Sequence, residues 1–238
     1  MAQSHGARKV LVVDGDSATR EDVRSAVAQD GYQVVEADTG AEGLRQVDAL
    51  HPSLVLLEVT LPDASGFDVC RELRKKDTAV PVIMMSSRSD EIDVVVALEI
   101  GADDYVTKPL RLRELVARMT AHLRRTRFES AEAMRSRLEF RDLVIDVNER
   151  RIYRAGLEVE LTHTEFDLLT FLASNAGKVL SREKILNSIW GYEYPIETRV
   201  IDVHVRNLRR KLEVEPGRPF YILAVPGIGY RFTNARPE

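Results

Sequence analysis

Along the first half of the chain, short runs of apolar and β-branched residues alternate with longer stretches in which apolar positions recur every three or four residues. Residues 9–13, 33–37, 54–59, 80–86 and 104–107 form the runs. Most are almost unbroken, the pattern of strands covered on both faces. Between and after them, residues 18–30, 40–50, 66–75, 92–100 and 112–125 carry a helical period. Five strand–helix units predict an α/β domain with a doubly wound, five-stranded parallel sheet, whose functional edge lies at the carboxyl ends of the strands. Asp14, Glu58, Ser86 and Lys108 each fall at or just past such an end.

The pattern then changes. Residues 126–136 are polar, rich in Arg, Glu, Ala and Ser, and lack a full apolar stripe, so they read as a linker between a domain at 1–125 and another at 137–238. The second domain reads as α+β: short strands at 143–147, 151–154 and 158–161, three helical patterns, and a terminal hairpin at 221–232. Thr162-His-Thr-Glu165 has the form of a capping box, a hydroxyl followed three residues later by Glu. Ser181-Arg-Glu-Lys184 opens a helix through Trp190, and Gly227-Ile-Gly229 marks a hairpin tip. In residues 198–212, Ile201, Val205, Leu208 and Leu212 recur at helical spacing and are expected to face the core, leaving Arg199, Asp202, Arg206 and Arg209 on another face.

Composition narrows the class. With 238 residues, 44% hydrophobic and 30% charged, the chain suits two ordinary globular domains. Apolar stretches such as 80–85 and 94–98 fall far short of the ~18–20 residues that span a bilayer. No signal-peptide pattern opens the chain, so a cytoplasmic location without membrane contact is expected. The one cysteine, Cys70, excludes an internal disulfide and cannot alone build a zinc site. Net charge is −4, but residues 1–136 carry 18 basic against 23 acidic side chains and residues 137–238 carry 16 against 15. Within the second domain, Arg199, Arg206, Arg209, Arg210 and Lys211 crowd one segment against Asp202 alone, a local footprint for nucleic acid.

Four segments, Pro81-Val-Ile-Met-Met-Ser86, Gly101-Ala-Asp-Asp-Tyr-Val-Thr-Lys108-Pro109, Val203-His-Val-Arg-Asn-Leu-Arg-Arg-Lys211 and Gly227-Ile-Gly-Tyr-Arg231, give the whole chain a resemblance to response regulators of the OmpR/PhoB class. That resemblance implies a receiver followed by a winged helix-turn-helix. In the family, two acids after the first strand and a phosphorylatable Asp after the third hold Mg²⁺, and a Lys contacts the phosphoryl group. Here Asp14 matches the first acid, Gly15 replaces the second, Asp16 is its neighbour, and Glu58 stands at the acceptor position. The missing ligand and the longer acceptor side chain predict a degenerate pocket without bound metal. A Glu58–Lys108 pair is a candidate stand-in for the phosphate–lysine contact; the alternative is that Glu58 is a tolerated acid in a pocket no longer used. Ser86 and Tyr105 match residues that reorient on activation, and Lys108–Pro109 matches a cis peptide.

For the second domain, the resemblance places Thr198, Arg199, Asp202, His204, Arg206, Asn207, Arg209, Arg210 and Arg231 at double-stranded DNA, with half-sites arranged as direct repeats. Asn207 is a candidate base reader, other basic residues contact phosphates, and His204 is a phosphate contact or a packing residue rather than a metal ligand. Asp202 is spaced to pair with Arg206. Pro226 stands where the wing commonly carries Arg, so a minor-groove insertion is expected to be missing and DNA binding to be weaker or differently specified, while Arg231 remains near the hairpin base. Residues 190–197 match the loop that contacts RNA polymerase in family members that activate transcription, although Trp190 and its tyrosines suit simple packing as well.

Homodimerisation is implied through the fourth helix, fifth strand and fifth helix. Val95 and Leu98 are expected as an apolar patch there, with Asp103, Asp104, Arg113, Glu114 and Arg118 as ion-pairing residues; Val94 replaces a common basic partner. Neither a complete ligand set nor a nucleophile paired with a base is present, so no enzymatic role and no cofactor are expected. Two alternatives stay open: a conventional regulator phosphorylated by a histidine kinase, and a receiver that senses a ligand or a protein.

Overall fold

The computed structural model describes residues 8–76, 79–87, 90–123, 137–191 and 199–235, without the side chains of Glu91 and Arg199. The chain divides into two compact units, Met1–Leu123 and Arg124–Glu238. The linker expected at 126–136 lies outside the described residues.

In the first unit, β1 (Lys9–Val13), β2 (Gln33–Ala37), β3 (Leu54–Glu58), β4 (Val82–Ser86) and β5 (Asp104–Thr107) form one parallel sheet in the order β2-β1-β3-β4-β5. Successive side chains of a strand point to opposite faces, and the cores follow. Val10, Val12, Leu54, Leu56, Ile83 and Met85 pack with residues of α1 (Ser17–Gln29) and α5 (Leu112–Leu123). Leu11, Val13, Val55, Leu57, Val82 and Met84 pack with residues of α2 (Gly40–Leu50), α3 (Gly66–Lys76) and α4 (Glu91–Glu99). Cys70 belongs to this second core; burial pushes its thiol up to about 11.

The second unit opens with a four-stranded antiparallel sheet of β6 (Arg137–Phe140), β7 (Leu143–Asp146), β8 (Arg151–Arg154) and β9 (Leu157–Glu158). Helices α6 (His163–Ser174), α7 (Arg182–Ile189) and α8 (Arg199–Leu212) follow, with β10 (Val179–Ser181) between the first two. A hairpin of β11 (Ile222–Val225) and β12 (Gly229–Phe232) joins β10 in the order β10-β12-β11, completing the winged-helix arrangement. The expected capping box is present: Thr162 Oγ1 accepts from Glu165 N, and Glu165 Oε2 from Thr162 N at 2.9 Å. Ser181 caps α7. The strand expected at 158–161 shrinks to Leu157–Glu158, because the chain turns toward its cap at Thr162 after one further bond, Val159 N to Ile152 O.

Candidate functional site

Strand ends assemble the first site. β1 stops at Val13, and Asp14 N extends its ladder to Ala37 O. Glu58 is the last residue of β3 and lies opposite Met85 in β4; Lys108 follows β5 and donates its backbone N–H to Ser86 O at 2.7 Å. The parallel register therefore delivers Asp14, Glu58 and Lys108 to one edge of the sheet. Lys108 Nζ lies 2.8 Å from Asp14 Oδ2 and also forms an ion pair with Glu58 Oε2. The remaining carboxylate oxygens are engaged by backbone: Asp14 Oδ1 accepts from Asp16 N at 2.9 Å, and Glu58 Oε1 from Thr60 N at 3.0 Å. Asp14 and Glu58 are 1% and 5% exposed, so one ammonium ion balances two carboxylates largely withdrawn from water.

Burial is the largest single influence on Lys108 and disfavours its charge. The hydrogen bonds and charges of Asp14 and Glu58 together outweigh it and raise the Lys108 pKa. Gly66 permits this packing: a Cβ there would meet Glu58 O at 2.1 Å, and its N–H donates to Val59 O at 2.7 Å. A Cβ at Gly15 would lie 2.9 Å from the Pro62 ring. Asp16 caps α1, bonding Ala18 N, Thr19 N and Thr19 Oγ1, and is exposed. Ser86 and Tyr105 are buried beside this edge, at 0% and 5% exposure. The Lys108–Pro109 peptide is cis.

The face expected to carry a dimer corrects several assignments. Leu98 is 1% exposed and belongs to the interior, not to a surface patch. Asp103 is wholly buried, accepting from Arg74 Nη2 at 2.8 Å and Val82 N at 2.9 Å, which takes it out of any surface ion pair. Asp104 and Arg118 are also buried and pair with each other inside one chain at 3.2 Å, while Arg118 Nη2 bonds Glu114. Val95 is half-buried, and Arg113 and Ile92 are exposed.

In the second unit, α8 is more deeply set than one apolar stripe suggests. Arg206 and Arg210 are exposed, as is Arg231 on β12. Asn207 is corrected: at 6% exposure it lies in the interior, while His204, at 1% exposure, takes the packing role of its two expected ones, against Trp190 with ring centroids 5.6 Å apart. Neither presents itself to a base or phosphate. Arg209 is a bracing residue, donating Nε and Nη2 to Ile222 O at 3.0 and 2.7 Å. Lys211 reaches Glu165 Oε2 at 2.6 Å, tying the end of α8 to the start of α6. Asp202 accepts from Arg182 Nε at 2.9 Å and Tyr230 Oη at 2.7 Å, partners that helical spacing does not reveal. Thr198 and residues 192–197 lie outside the described residues, as does the side chain of Arg199. Trp190 is buried, in keeping with a packing role.

A parallel α/β unit with acids and a lysine at its strand ends, followed by a winged helix bearing exposed arginines, defines a DNA-binding response regulator. Residues 10–120 match the family described as "Response regulator receiver domain", and residues 156–232 match "Transcriptional regulatory protein, C terminal". The chain is 42% identical over 224 residues to the DNA-binding response regulator MtrA of Mycolicibacterium smegmatis, covering 94% of this chain and 96% of that one. Among solved structures, a point mutant of RitR is 30% identical with a TM-score of 0.77, covering 95% of this chain and 99% of its own. DrrB of Thermotoga maritima, an OmpR/PhoB homologue, is 35% identical with a TM-score of 0.51, covering 96% of this chain and 100% of its own. This protein belongs to the OmpR/PhoB family of DNA-binding response regulators.

Proposed function

We propose that this regulator binds DNA sequence-specifically under the control of a receiver that works without phosphorylation. The observation that carries the reading is the Lys108 ammonium held between Asp14 and Glu58. Glu58 occupies the position of the phosphoacceptor and supplies constitutively the negative charge that a phosphoryl group would bring to that lysine. A divalent cation does not fit this pocket. Its two carboxylates already enclose an ammonium, position 15 bears no side chain, and Asp16 faces α1 as its cap. Among the described residues, no group of three or more His, Cys, Asp or Glu side chains is arranged to hold a metal ion.

On this reading the protein dimerises without a phosphodonor through α4, β5 and α5, using exposed Ile92 and Arg113 and half-buried Val95. It engages two half-sites about one helical turn apart, with α8 in the major groove and the hairpin at the adjacent minor groove. Beryllofluoride with Mg²⁺ tests the central claim. Sedimentation and DNA affinity are expected to stay unchanged; a several-fold shift in either contradicts it. A mass increase of one phosphoryl group after incubation with acetyl phosphate contradicts it too.

A further inference from the structure

We propose that Arg182 is an additional DNA-phosphate contact, placed at the seam between α8 and the wing and positioned by Asp202 and Tyr230. Arg182 is the first residue of α7, following the Ser181 cap. Its backbone N–H donates to Ile228 O at 3.3 Å, joining it to the hairpin tip. Its side chain bonds Asp202 in the first turn of α8 at 2.9 Å and lies over the Tyr230 ring, 5.1 Å from the centroid. Tyr230 in turn donates to the same Asp202 oxygen at 2.7 Å. One arginine thus touches both the helix and the wing.

Gly229 makes the seam close: a Cβ there would stand 2.1 Å from Leu180 O and 3.0 Å from Arg182 N. A larger residue would push β12 away from the start of α7. The inference rests on the reading that α8 enters the major groove and the hairpin the minor groove. Between those grooves runs a sugar–phosphate strand, so a cation linking the two elements faces phosphate rather than base edges. A guanidinium has five N–H donors; the bond to Asp202 uses Nε, and the side chain keeps 29% of its surface exposed. Asp202 and Tyr230 fix the plane of the group before binding, which limits the rotamer entropy lost on contact. In this arrangement Asp202 is a positioning residue rather than a reader of bases.

The test uses the full chain and a mixed-sequence duplex, with affinity followed by fluorescence anisotropy from ~50 to ~200 mM salt. Arg182→Gln keeps a hydrogen-bonding side chain but removes the charge, Arg182→Ala removes both, and Arg182→Lys keeps charge without the planar fork. One lost phosphate contact lowers the slope of log affinity against log salt by about 0.9. That drop is expected for the Gln and Ala variants and not for Lys. A bracing role alone would shift the melting temperature and leave the slope intact, and that result overturns the proposal, even if Ala proves too unstable and only Gln is measured. Arg206→Ala is the control: if it lowers the slope while both Arg182 variants do not, this inference fails alone. If Arg206→Ala also leaves the slope unchanged, the placement of α8 on DNA falls, and the inference with it.

Discussion

Replacing Lys108 with Met keeps the length of the side chain and removes the cation that directly contacts both Asp14 and Glu58 in the strand-end pocket. Asp14 and Glu58, with side chains 2% and 6% exposed, are left facing each other without that compensation. Breaking a buried ion pair from one side costs about 3–5 kcal/mol. Lys108 retains 21% exposure, which places the loss at the lower end, about 3 kcal/mol. For a unit of this size that corresponds to a fall of roughly 12 °C in melting temperature. Glu58→Gln is a milder change: Lys108 keeps Asp14, and the amide oxygen still accepts from Thr60 N, so about 1 kcal/mol is expected. The double variant should recover part of the Lys108→Met loss, because one of the two stranded charges is gone.

Differential scanning calorimetry of the full chain reads these transitions, and the molecule carries its own control. Trp190 is the single tryptophan, lies buried in the second unit, and reports that unit by fluorescence. The calorimetric transition of the receiver should move while the tryptophan transition holds. A Lys108→Met protein melting within a few degrees of the parent, or a Glu58→Gln protein as damaged as Lys108→Met, would refute charge compensation as the role of the lysine.

Leu98→Asp is expected to unfold the receiver rather than merely part a dimer, since it buries a charge at a site 1% exposed; a folded monomer by circular dichroism and sedimentation would argue against this. Asn207→Ala should lower the melting temperature of the second unit and leave base preference in a randomised-site selection unchanged, because the side chain is interior. Arg74→Ala strands Asp103, which is fully buried, and should cost about 3–5 kcal/mol by urea denaturation, provided the receiver transition is resolved. Lys108 has a raised pKa in the folded state, so its stabilisation is complete below the unfolded value of about 10.4 and lost as pH rises through the folded value. Alkaline titration should therefore destabilise the parent receiver more than Lys108→Met.

Much of the receiver was legible in the chain. Lys9–Val13, Gln33–Ala37 and Asp104–Thr107 coincide with the expected strands residue for residue, because β-branched runs bounded by polar residues leave little ambiguity. The Glu58–Lys108 ion pair follows from topology, since strand ends in one parallel sheet share an edge. β6 and β10 were missed: Arg137-Leu-Glu-Phe140 carries only two apolar residues and no β-branched one, β10 has three residues, and Ser181 both ends β10 and caps α7. The inward placement of His204 and Asn207 was hidden for another reason. α8 packs against α6 and α7, and Arg209 braces it to β11, so its buried arc is wider than the stripe of Ile201, Val205, Leu208 and Leu212. Polar side chains within that arc look like surface residues in the sequence. Asp103 was similarly disguised, because Arg74, its partner, lies 29 residues away on α3.

The division of α8 into anchored and outward positions bears on how such a regulator diverges. Arg209 and Lys211 hold Ile222 O and Glu165, so substitutions there are screened first by folding. Arg206 and Arg210 sit at the surface, and on the proposed reading they are the positions a promoter screens. A duplicated copy of this gene would therefore acquire new target sites through a few outward positions while keeping the same helix in place. Counting conserved arginines across such copies would overstate how similarly they read DNA.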